Sequence, residues 1–214
     1  MDLARIAELL QPFFQSEAPP GLAPFQLQHI STYVDLLLRW NARINLTAVR
    51  QPEEIVTRHF GESLFAARHL FPAPAAAGPA RVVDVGSGAG FPGLPVKLWA
   101  PAIHLTLIES SHKKATFLRE IIRSLTLTNV DVFTGRAQDF SPGLADVVTL
   151  RAVERFADIL PAACRLLAPS GRLALLIGQA QVEPAHALAP GLHWQAPVSI
   201  PLSSSRVLLI ADSA

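Results

Sequence analysis

The sequence has little sulfur: it contains one cysteine, Cys164, and one methionine among 214 residues. A single thiol excludes a disulfide framework and a cysteine metal cluster, so we expect a reducing, cytoplasmic environment. Cys164 falls in a predicted helix, and we expect it to be a small buried side chain. No pair of histidines or acids stands at the spacing of metal ligands, and we therefore predict no metal.

Long apolar runs and targeting signals are also lacking. The N-terminus, MDLARIAELLQPFF, has no basic start before a long apolar core, which predicts no signal peptide. No apolar run approaches the ~18–20 residues that cross a bilayer, so we expect no membrane partner. Charged residues make up 16% of the chain and the net charge is +1. This balance argues against a protein that coats nucleic acid, but it permits a local basic patch.

Apolar residues make up 50% of the chain, which is enough for a sizeable core. Their helical spacing predicts three helices in the first part, at residues 3–10, 25–40 and 53–70. The Pro- and Ala-rich stretch that follows indicates a linker. We therefore predict an N-terminal helical extension at 1–70, a linker at 71–80 and a second domain at 81–214.

Strand and helix patterns alternate in the second part. Strands are predicted at 82–85, 104–108, 130–133, 146–150 and 172–177, followed by a hairpin of 198–202 and 206–211. Helices are predicted at 93–99, 113–125 and 156–167. This alternation predicts right-handed crossovers and an α/β fold with a mainly parallel, seven-stranded sheet. The C-terminal hairpin would add antiparallel strands at one edge.

The segment VVDVGSGAGFPG at 82–93 carries the clearest chemical signal. In a parallel sheet, ligands bind beyond the carboxyl ends of the strands, and glycines let a ligand approach the backbone closely. Two cofactor classes fit this loop. From Gly88 onward it matches the dinucleotide pattern G-x-G-x-x-G, with Glu109 near the position of the ribose-binding acid. A nicotinamide-dependent oxidoreductase is therefore one alternative.

Asp84 favours the second class, the methyl donor S-adenosylmethionine. A carboxylate at the end of the first strand can bind the ammonium group of this donor, directly or through water, but would repel a pyrophosphate. Glu109 can accept hydrogen bonds from both ribose hydroxyls. We place the adenine pocket after the third strand, near Ala137 and Gln138. The bare loop backbone of this Rossmann-like fold would be supplied by Gly86, Gly88 and Gly90.

Four stretches of the chain together resemble one family: LRWNARINLTAV at 38–49, RHFGESL at 58–64, DVGSGAGFPG at 84–93 and LRAV at 150–153. They are similar to the bacterial 16S ribosomal RNA guanine-N7 methyltransferases, also called the glucose-inhibited division protein B family. The resemblance runs over most of the chain. It implies methyl transfer from S-adenosylmethionine to N7 of a guanine in 16S ribosomal RNA. It implies as partner this RNA or the small ribosomal subunit, including an assembly intermediate.

The resemblance also implies site residues. It implies that Gly86 and Phe91 hold the donor, that Ala137 and Gln138 contact its adenosine, and that Arg151 lines the donor site, where it can assist the reaction. Two positions depart from the family pattern. The family usually has an acid where this chain has Gln138, and an aspartate where it has Glu62. The sequence shows no catalytic dyad, and N7 of guanine needs none, because it carries no proton at neutral pH.

Basic residues near the predicted mouth of the site are candidates for RNA phosphate contacts. They are Lys113, Lys114, Arg123 and Arg136. A solvated helix face is the competing interpretation, and it is the stronger one for Arg123.

Polar residues of the helical part are given a structural interpretation. We expect Trp40, Asn41 and Asn45 to form an internal framework, and His59 to be a packing residue. The absence of heptads favours a monomer. A non-enzymatic RNA-binding or ribosome-assembly factor, and a small-molecule methyltransferase, remain as further alternatives to the RNA methyltransferase.

Overall fold

The computed structural model describes residues 1–14, 21–73, 78–141, 143, 145–151 and 155–213. The predicted linker at 71–80 lies partly outside these ranges, as do Ala152 and Val153 of the LRAV stretch.

The N-terminal part is helical, as predicted. It contains α1 (Leu3–Leu10), a 3-10 turn (Gln11–Phe14), α2 (Pro24–Asn41), α3 (Pro52–Glu54), a π-helical segment (Ile55–Gly61) and α4 (Glu62–Leu70). Pro24 occupies the first turn of α2, where its missing N–H costs nothing. The π-helical segment interrupts the helix that the sequence predicts at 53–70. Single π-helical turns are often found at functional sites.

The remaining elements alternate between strand and helix. The strands are β1 (Arg81–Val85), β2 (His104–Glu109), β3 (Val130–Thr134), β4 (Ala145–Arg151), β5 (Leu167–Gly178), β6 (His193–Trp194), β7 (Val198–Ser199) and β8 (Arg206–Asp212). The helices are α5 (Gly93–Trp99), α6 (His112–Ser124), α7 (Phe156–Cys164) and α8 (Val182–Leu188).

The strands form one mixed sheet in the order β3-β2-β1-β4-β5-β8-β6, with β7 also paired to β8. The strands β1 to β5 pair in parallel, and β8 pairs antiparallel with β5, β6 and β7. The strand order reverses between β1 and β4, which is the place where such sheets bind ligands. The predicted α/β fold and its C-terminal antiparallel hairpin are confirmed.

The sheet has eight strands, whereas the sequence predicts seven. The additional strand is β6, and its two residues are too few to show an alternating pattern. The helix predicted at 156–167 ends earlier, at Cys164, and Leu167 already belongs to β5. Cys164 is half-buried instead of fully buried.

One apolar cluster joins the helical part to the sheet. It includes Ile6, Leu37 and Phe60 from the helices and Leu105 and Leu107 from β2. A second cluster covers the other face of the sheet beneath α7 and α8. The boundary between 1–70 and 81–214 stays a prediction, and side chains from both sides of it share a core.

Within the described residues, no helix has both the length and the apolar character needed to cross a membrane.

The contact between the π-helical segment and the 3-10 turn depends on a glycine. A β-carbon built on Gly61 falls inside van der Waals distance of the Phe13 ring, which is itself buried. We expect Gly61→Ala to destabilise the protein by about 1–3 kcal/mol through overpacking, despite the better helix propensity of alanine. Thermal unfolding measures this change. Gly191→Ala is the control, because a β-carbon there meets nothing within 4 Å. Equal melting temperatures for the two variants would contradict the packing argument.

Candidate functional site

A cavity of about 790 Å³ opens at the carboxyl ends of β1 to β4. The strand ends and the loops after them contribute Gly86, Gly88, Phe91, Glu109, Arg136, Ala137, Gln138 and Arg151. The helical part contributes Leu46, Thr47, Ala48 and His59. Residues that are far apart in the sequence thus form one concave surface.

The glycine loop after β1 is held by backbone bonds and by Glu109. Gly86, Gly88 and Gly90 have φ angles of 69°, 56° and 90°, in the left-handed region that glycine tolerates best. The N–H of Gly88 donates to Glu109 Oε2 at 2.9 Å, and the N–H of Ser111 donates to Glu109 Oε1 at 2.7 Å. Each carboxylate oxygen keeps a further lone pair for a hydroxyl donor.

Asp84 lies beneath the loop, and it is not part of the cavity lining. Its Oδ1 accepts from the Thr149 hydroxyl at 2.7 Å, and its Oδ2 accepts from the Gly93 N–H at 3.2 Å. Burial raises the pKa of this carboxyl to about 6, although these hydrogen bonds oppose the rise. The structure therefore differs from the expectation that Asp84 faces the ligand. It ties the loop to β4 and to the start of α5 instead.

The loop is also held from the helical part, by Tyr33. Its hydroxyl donates to the Ala89 carbonyl at 2.5 Å, and its ring stacks on Phe91 with 5.5 Å between centroids. Burial raises the pKa of Tyr33 well above its usual value, so the phenol stays a neutral donor. Gly90 is buried against Tyr33 and Leu94 and, unlike its neighbours, does not line the cavity.

Arg151, at the end of β4, is fixed by a buried ion pair. Its guanidinium lies 3.1 Å from Glu62 Oε2, and Arg206 from β8 pairs with the other oxygen of the same carboxylate. The Glu62 side chain is only 2% exposed. Burial lowers the pKa of Arg151, and Glu62 opposes that shift. Glutamate at this position thus joins α4 to β4 and β8.

His59 connects this ion pair to the segment after α2. Its Nδ1 lies 3.1 Å from Arg151 Nη1, its Nε2 lies 2.8 Å from Thr47 Oγ1, and its ring stacks on Phe91. Burial first, and then the charges of Arg151 and Arg58, lower the pKa of His59 to about 3. His59 is therefore uncharged near neutral pH. It is buried, as expected of a packing residue, but it also lines the cavity.

Asn41 fixes the backbone beside His59. Its Nδ2 donates to the Thr47 carbonyl at 2.9 Å, and its Oδ1 accepts from the N–H groups of Leu46 and Thr47. Trp40 packs edge-on against Phe117. The framework interpretation is confirmed for Asn41, whereas Trp40 is half-buried and Asn45 is exposed.

Two of the four predicted RNA contacts reach the cavity. Lys114 and Arg136 line it, and Lys113 is exposed at the start of α6 beside Lys114. Arg123 lies outside the lining, on the last turn of α6, where it is ion-paired with Glu120. The structure therefore does not place Arg123 at the site, because α6 carries it more than two turns away from Lys114.

Among the residues that the structure describes, no three side chains of histidine, cysteine, aspartate or glutamate come together as metal ligands. The expectation of no metal stays a prediction.

Comparison with known proteins places the chain in a family. Residues 26–196 match the family described as rRNA small subunit methyltransferase G, GidB. The chain belongs to the GidB family. The ribosomal RNA small subunit methyltransferase G of Chloroflexus aggregans is 37% identical over 201 residues, which cover 88% of this chain and 82% of that protein. Its counterpart from Xylella fastidiosa is 38% identical over 184 residues, which cover 83% of this chain and 82% of that protein.

Solved structures share the fold at lower identity. A SAM dependent methyltransferase from Aquifex aeolicus aligns with a TM-score of 0.58 and 16% identity, over 77% of this chain and 94% of that one. TYW2 from M. jannaschii in complex with AdoMet aligns with a TM-score of 0.53 and 16% identity, over 69% of this chain and 74% of that one. Family and fold together favour the methyltransferase over the nicotinamide-dependent oxidoreductase.

The residues of this GidB-family site fit S-adenosylmethionine. Glu109 offers carboxylate oxygens to ribose hydroxyls, and the backbone of Gly86 and Gly88 lines the cavity without a side chain to keep a ligand away. Ala137 and Gln138 line the cavity after β3, where the adenine was expected. Gln138 is exposed and offers both an amide donor and an amide acceptor.

Sequence reasoning missed several residues that the GidB fold brings to the site. It gave Thr47 no role, overlooked Tyr33, and did not include Arg155, which lines the cavity. The W-N-x-x-x-N-L-T segment at 40–47 contained a signal for Thr47, because the Asn41 side chain binds the backbone of Thr47. No local pattern marks Tyr33, whose partner Ala89 is 56 residues away.

We expect Tyr33→Phe to weaken binding of S-adenosylhomocysteine, the product form of the donor, roughly fivefold or more. The variant keeps the ring but leaves the buried Ala89 carbonyl without its donor, which costs about 1–3 kcal/mol. Isothermal titration calorimetry measures the affinity. The control is Thr57→Val, which removes a hydroxyl bound to helix carbonyls away from the cavity. An unchanged affinity in Tyr33→Phe would show that the loop does not need this bond.

Proposed function

We propose that this chain transfers the methyl group of S-adenosylmethionine to N7 of a guanine in 16S ribosomal RNA of the small ribosomal subunit. The observation that supports the choice of N7 is that, in the part of the chain that the structure describes, His59, Glu109 and Asp158 of the cavity lining are each engaged in hydrogen bonds or an ion pair. His59 uses both ring nitrogens, and Glu109 accepts from two backbone N–H groups. Asp158 is ion-paired with Arg155.

A site whose described histidine and carboxylates are held in hydrogen bonds and ion pairs suits a nucleophile that has no proton to lose. Guanine N7 presents an in-plane lone pair, whereas an amine or a hydroxyl acceptor must release a proton. When bound, S-adenosylmethionine supplies an electrophilic methyl group. The contribution of the chain is then to align the two reactants and to exclude competing geometries. Gly86, Gly88, Glu109, Ala137 and Gln138 would hold the donor.

The target guanine must leave any helical stack to reach this cavity, because N7 lies in the deep major groove of an RNA helix. Arg151 and His59 form a rigid part of the wall that can receive the base. Lys114 and Arg136, with Lys113 beside them, would bind the flanking phosphates. Arg123 is left out of this proposal because of its position.

The cofactor half of the proposal is tested by a pair of glycine variants. Gly86 and Gly143 have nearly equal φ angles, 69° and 70°, so alanine is equally strained at both. Only Gly86 lines the cavity. We expect Gly86→Ala to weaken S-adenosylhomocysteine binding about tenfold or more, because it adds a methyl group to a residue that lines the cavity. Gly143→Ala should bind like the wild type in calorimetry.

The same titration with a nicotinamide dinucleotide should show no binding. Methyl transfer to isolated 16S ribosomal RNA, to an assembly intermediate and to the small subunit is then compared, and the product is identified as 7-methylguanosine by mass spectrometry of the digested RNA. Binding of the dinucleotide would contradict the proposal. A wild-type protein that binds RNA but no methyl donor would favour a non-enzymatic assembly factor.

The RNA half is tested by Arg136→Ala against Arg123→Ala. Both remove one exposed guanidinium, but only Arg136 lines the cavity. We expect Arg136→Ala to weaken RNA binding and to lower the slope of log affinity against log salt by about one unit. Arg123→Ala should leave both quantities unchanged. Filter binding over a salt series gives the slopes, and a larger effect at Arg123 would overturn the assignment of the RNA surface.

A further inference from the structure

Thr47 belongs to a chain of hydrogen bonds that ends at the cavity. Arg151 contacts His59 Nδ1 at 3.1 Å, and His59 Nε2 contacts the Thr47 hydroxyl oxygen at 2.8 Å. Thr47 and His59 both line the cavity. The direction in which each bond donates decides what the threonine hydroxyl can offer to a ligand.

The direction is set by Arg151, because a guanidinium only donates. His59 Nδ1 must therefore accept, which places the single ring proton of the neutral imidazole on Nε2. The low pKa of His59, about 3, excludes the doubly protonated ring near neutral pH. His59 Nε2–H consequently donates to Thr47 Oγ1.

A second donor occupies the other lone pair of the Thr47 hydroxyl. The backbone N–H of Val49 donates to Oγ1 at 3.1 Å. A hydroxyl has two lone pairs and one proton, so only its proton remains to be used. Within the described part of the chain, Oγ1 makes no hydrogen bond beyond these two. Thr47 therefore meets the cavity as a donor and cannot accept.

The position of this donor is rigid, and Thr47 comes from a different part of the chain than the residues that fit the cofactor. Asn41 holds the backbone of Thr47 through two hydrogen bonds and that of Leu46 through a third. The neighbours of Thr47 in the lining, Leu46 and Ala48, are apolar and come from the same segment. The glycine loop, Glu109 and Ala137 come from the strand ends. A ligand seated against Thr47 thus meets one oriented polar group in an apolar patch.

Resting on the proposed function, we propose that the Thr47 hydroxyl donates a hydrogen bond to O6 of the target guanine and makes Thr47 a specificity-determining residue. Guanine presents N7 and O6 side by side as acceptors, whereas adenine presents an N6 amino donor beside the same N7. A group that can only donate forms a hydrogen bond with O6 of guanine. Opposite adenine it would face the N6 amino group, which is another donor. The hydrogen-bonded residues Arg151, His59 and Thr47 would therefore distinguish guanine from adenine.

The test combines a protein change with a base change. Thr47→Val removes the hydroxyl at constant shape, and Thr47→Ser keeps it. Small subunits are reconstituted with RNA that carries guanine or 2-aminopurine at the mapped target position. 2-Aminopurine keeps N7 and lacks O6. Single-turnover methyl transfer is measured for each combination, and calorimetry with S-adenosylhomocysteine is run on each protein.

We expect the wild type and Thr47→Ser to lose roughly 5- to 100-fold in the single-turnover rate constant of methyl transfer when O6 is removed. Methyl transfer to guanine by Thr47→Val should be slower than that of the wild type by a similar factor. Replacing guanine with 2-aminopurine should slow this variant little further. Its affinity for S-adenosylhomocysteine should be unchanged. A merely structural role would slow both substrates equally. Equal penalties for O6 removal in the wild type and Thr47→Val would overturn the assignment, as would a loss of cofactor affinity that accounts for the whole effect.

Failure of the proposed function is distinguishable in the same experiment, because the wild type would then transfer no methyl group to the guanine substrate. Nitrogen-15 NMR of His59 tests separately in which direction its two hydrogen bonds donate. A protonated Nε2 and an unprotonated Nδ1 between pH 6 and pH 8 are expected, and the opposite tautomer would overturn the inference.

Discussion

The buried carboxylate of Glu62 is the interaction on which the rest of the site depends. An unpaired charge at this depth would cost several kcal/mol, so Glu62 requires both of its arginine partners. By holding Arg151 in one orientation, it also fixes the tautomer of His59 and the role of Thr47. The geometry of the cavity wall is thereby set by a buried carboxylate that is not itself part of the lining.

The helical part is an integral element of the site. Tyr33 holds the glycine loop through the Ala89 carbonyl, and Phe91 is packed between Tyr33 and His59. A glycine loop alone admits several nucleotide cofactors, since it supplies only bare backbone. The side chains that the helices bring to it supply the rigid polar wall that a methyl acceptor needs. The fold is shared with methyltransferases of low identity. The W-N-x-x-x-N-L-T segment at 40–47 is one of the stretches that carry the resemblance to the family, and its Thr47 lines the cavity.

Glu62 and Gln138, the two positions that the resemblance marks as departures, lie in different environments. Glu62 keeps its charge and reaches two arginines, so the longer arm is accommodated within the ion-pair network. Gln138 is exposed on the cavity side, where a neutral amide can both donate and accept. Asp84 gives the contrasting case. Its acidity argued for a contact with the donor, and its burial beneath the loop assigns it to holding the backbone.

The sequence by itself determined the sheet, its order of elements and the edge at which a ligand binds, because apolar periodicity and glycine placement are local properties. Gly86, Glu109, Ala137 and Arg151 were found in this way, since parallel strands end at a common edge. Only the tertiary structure decided which side of the backbone Asp84 faces, that Arg123 is remote, and that Thr47, His59 and Arg151 meet. Those facts depend on the packing of helices against a sheet across 92 residues of chain, from His59 to Arg151. No local pattern encodes such contacts, because the side chains that make them become neighbours only when the shared core forms.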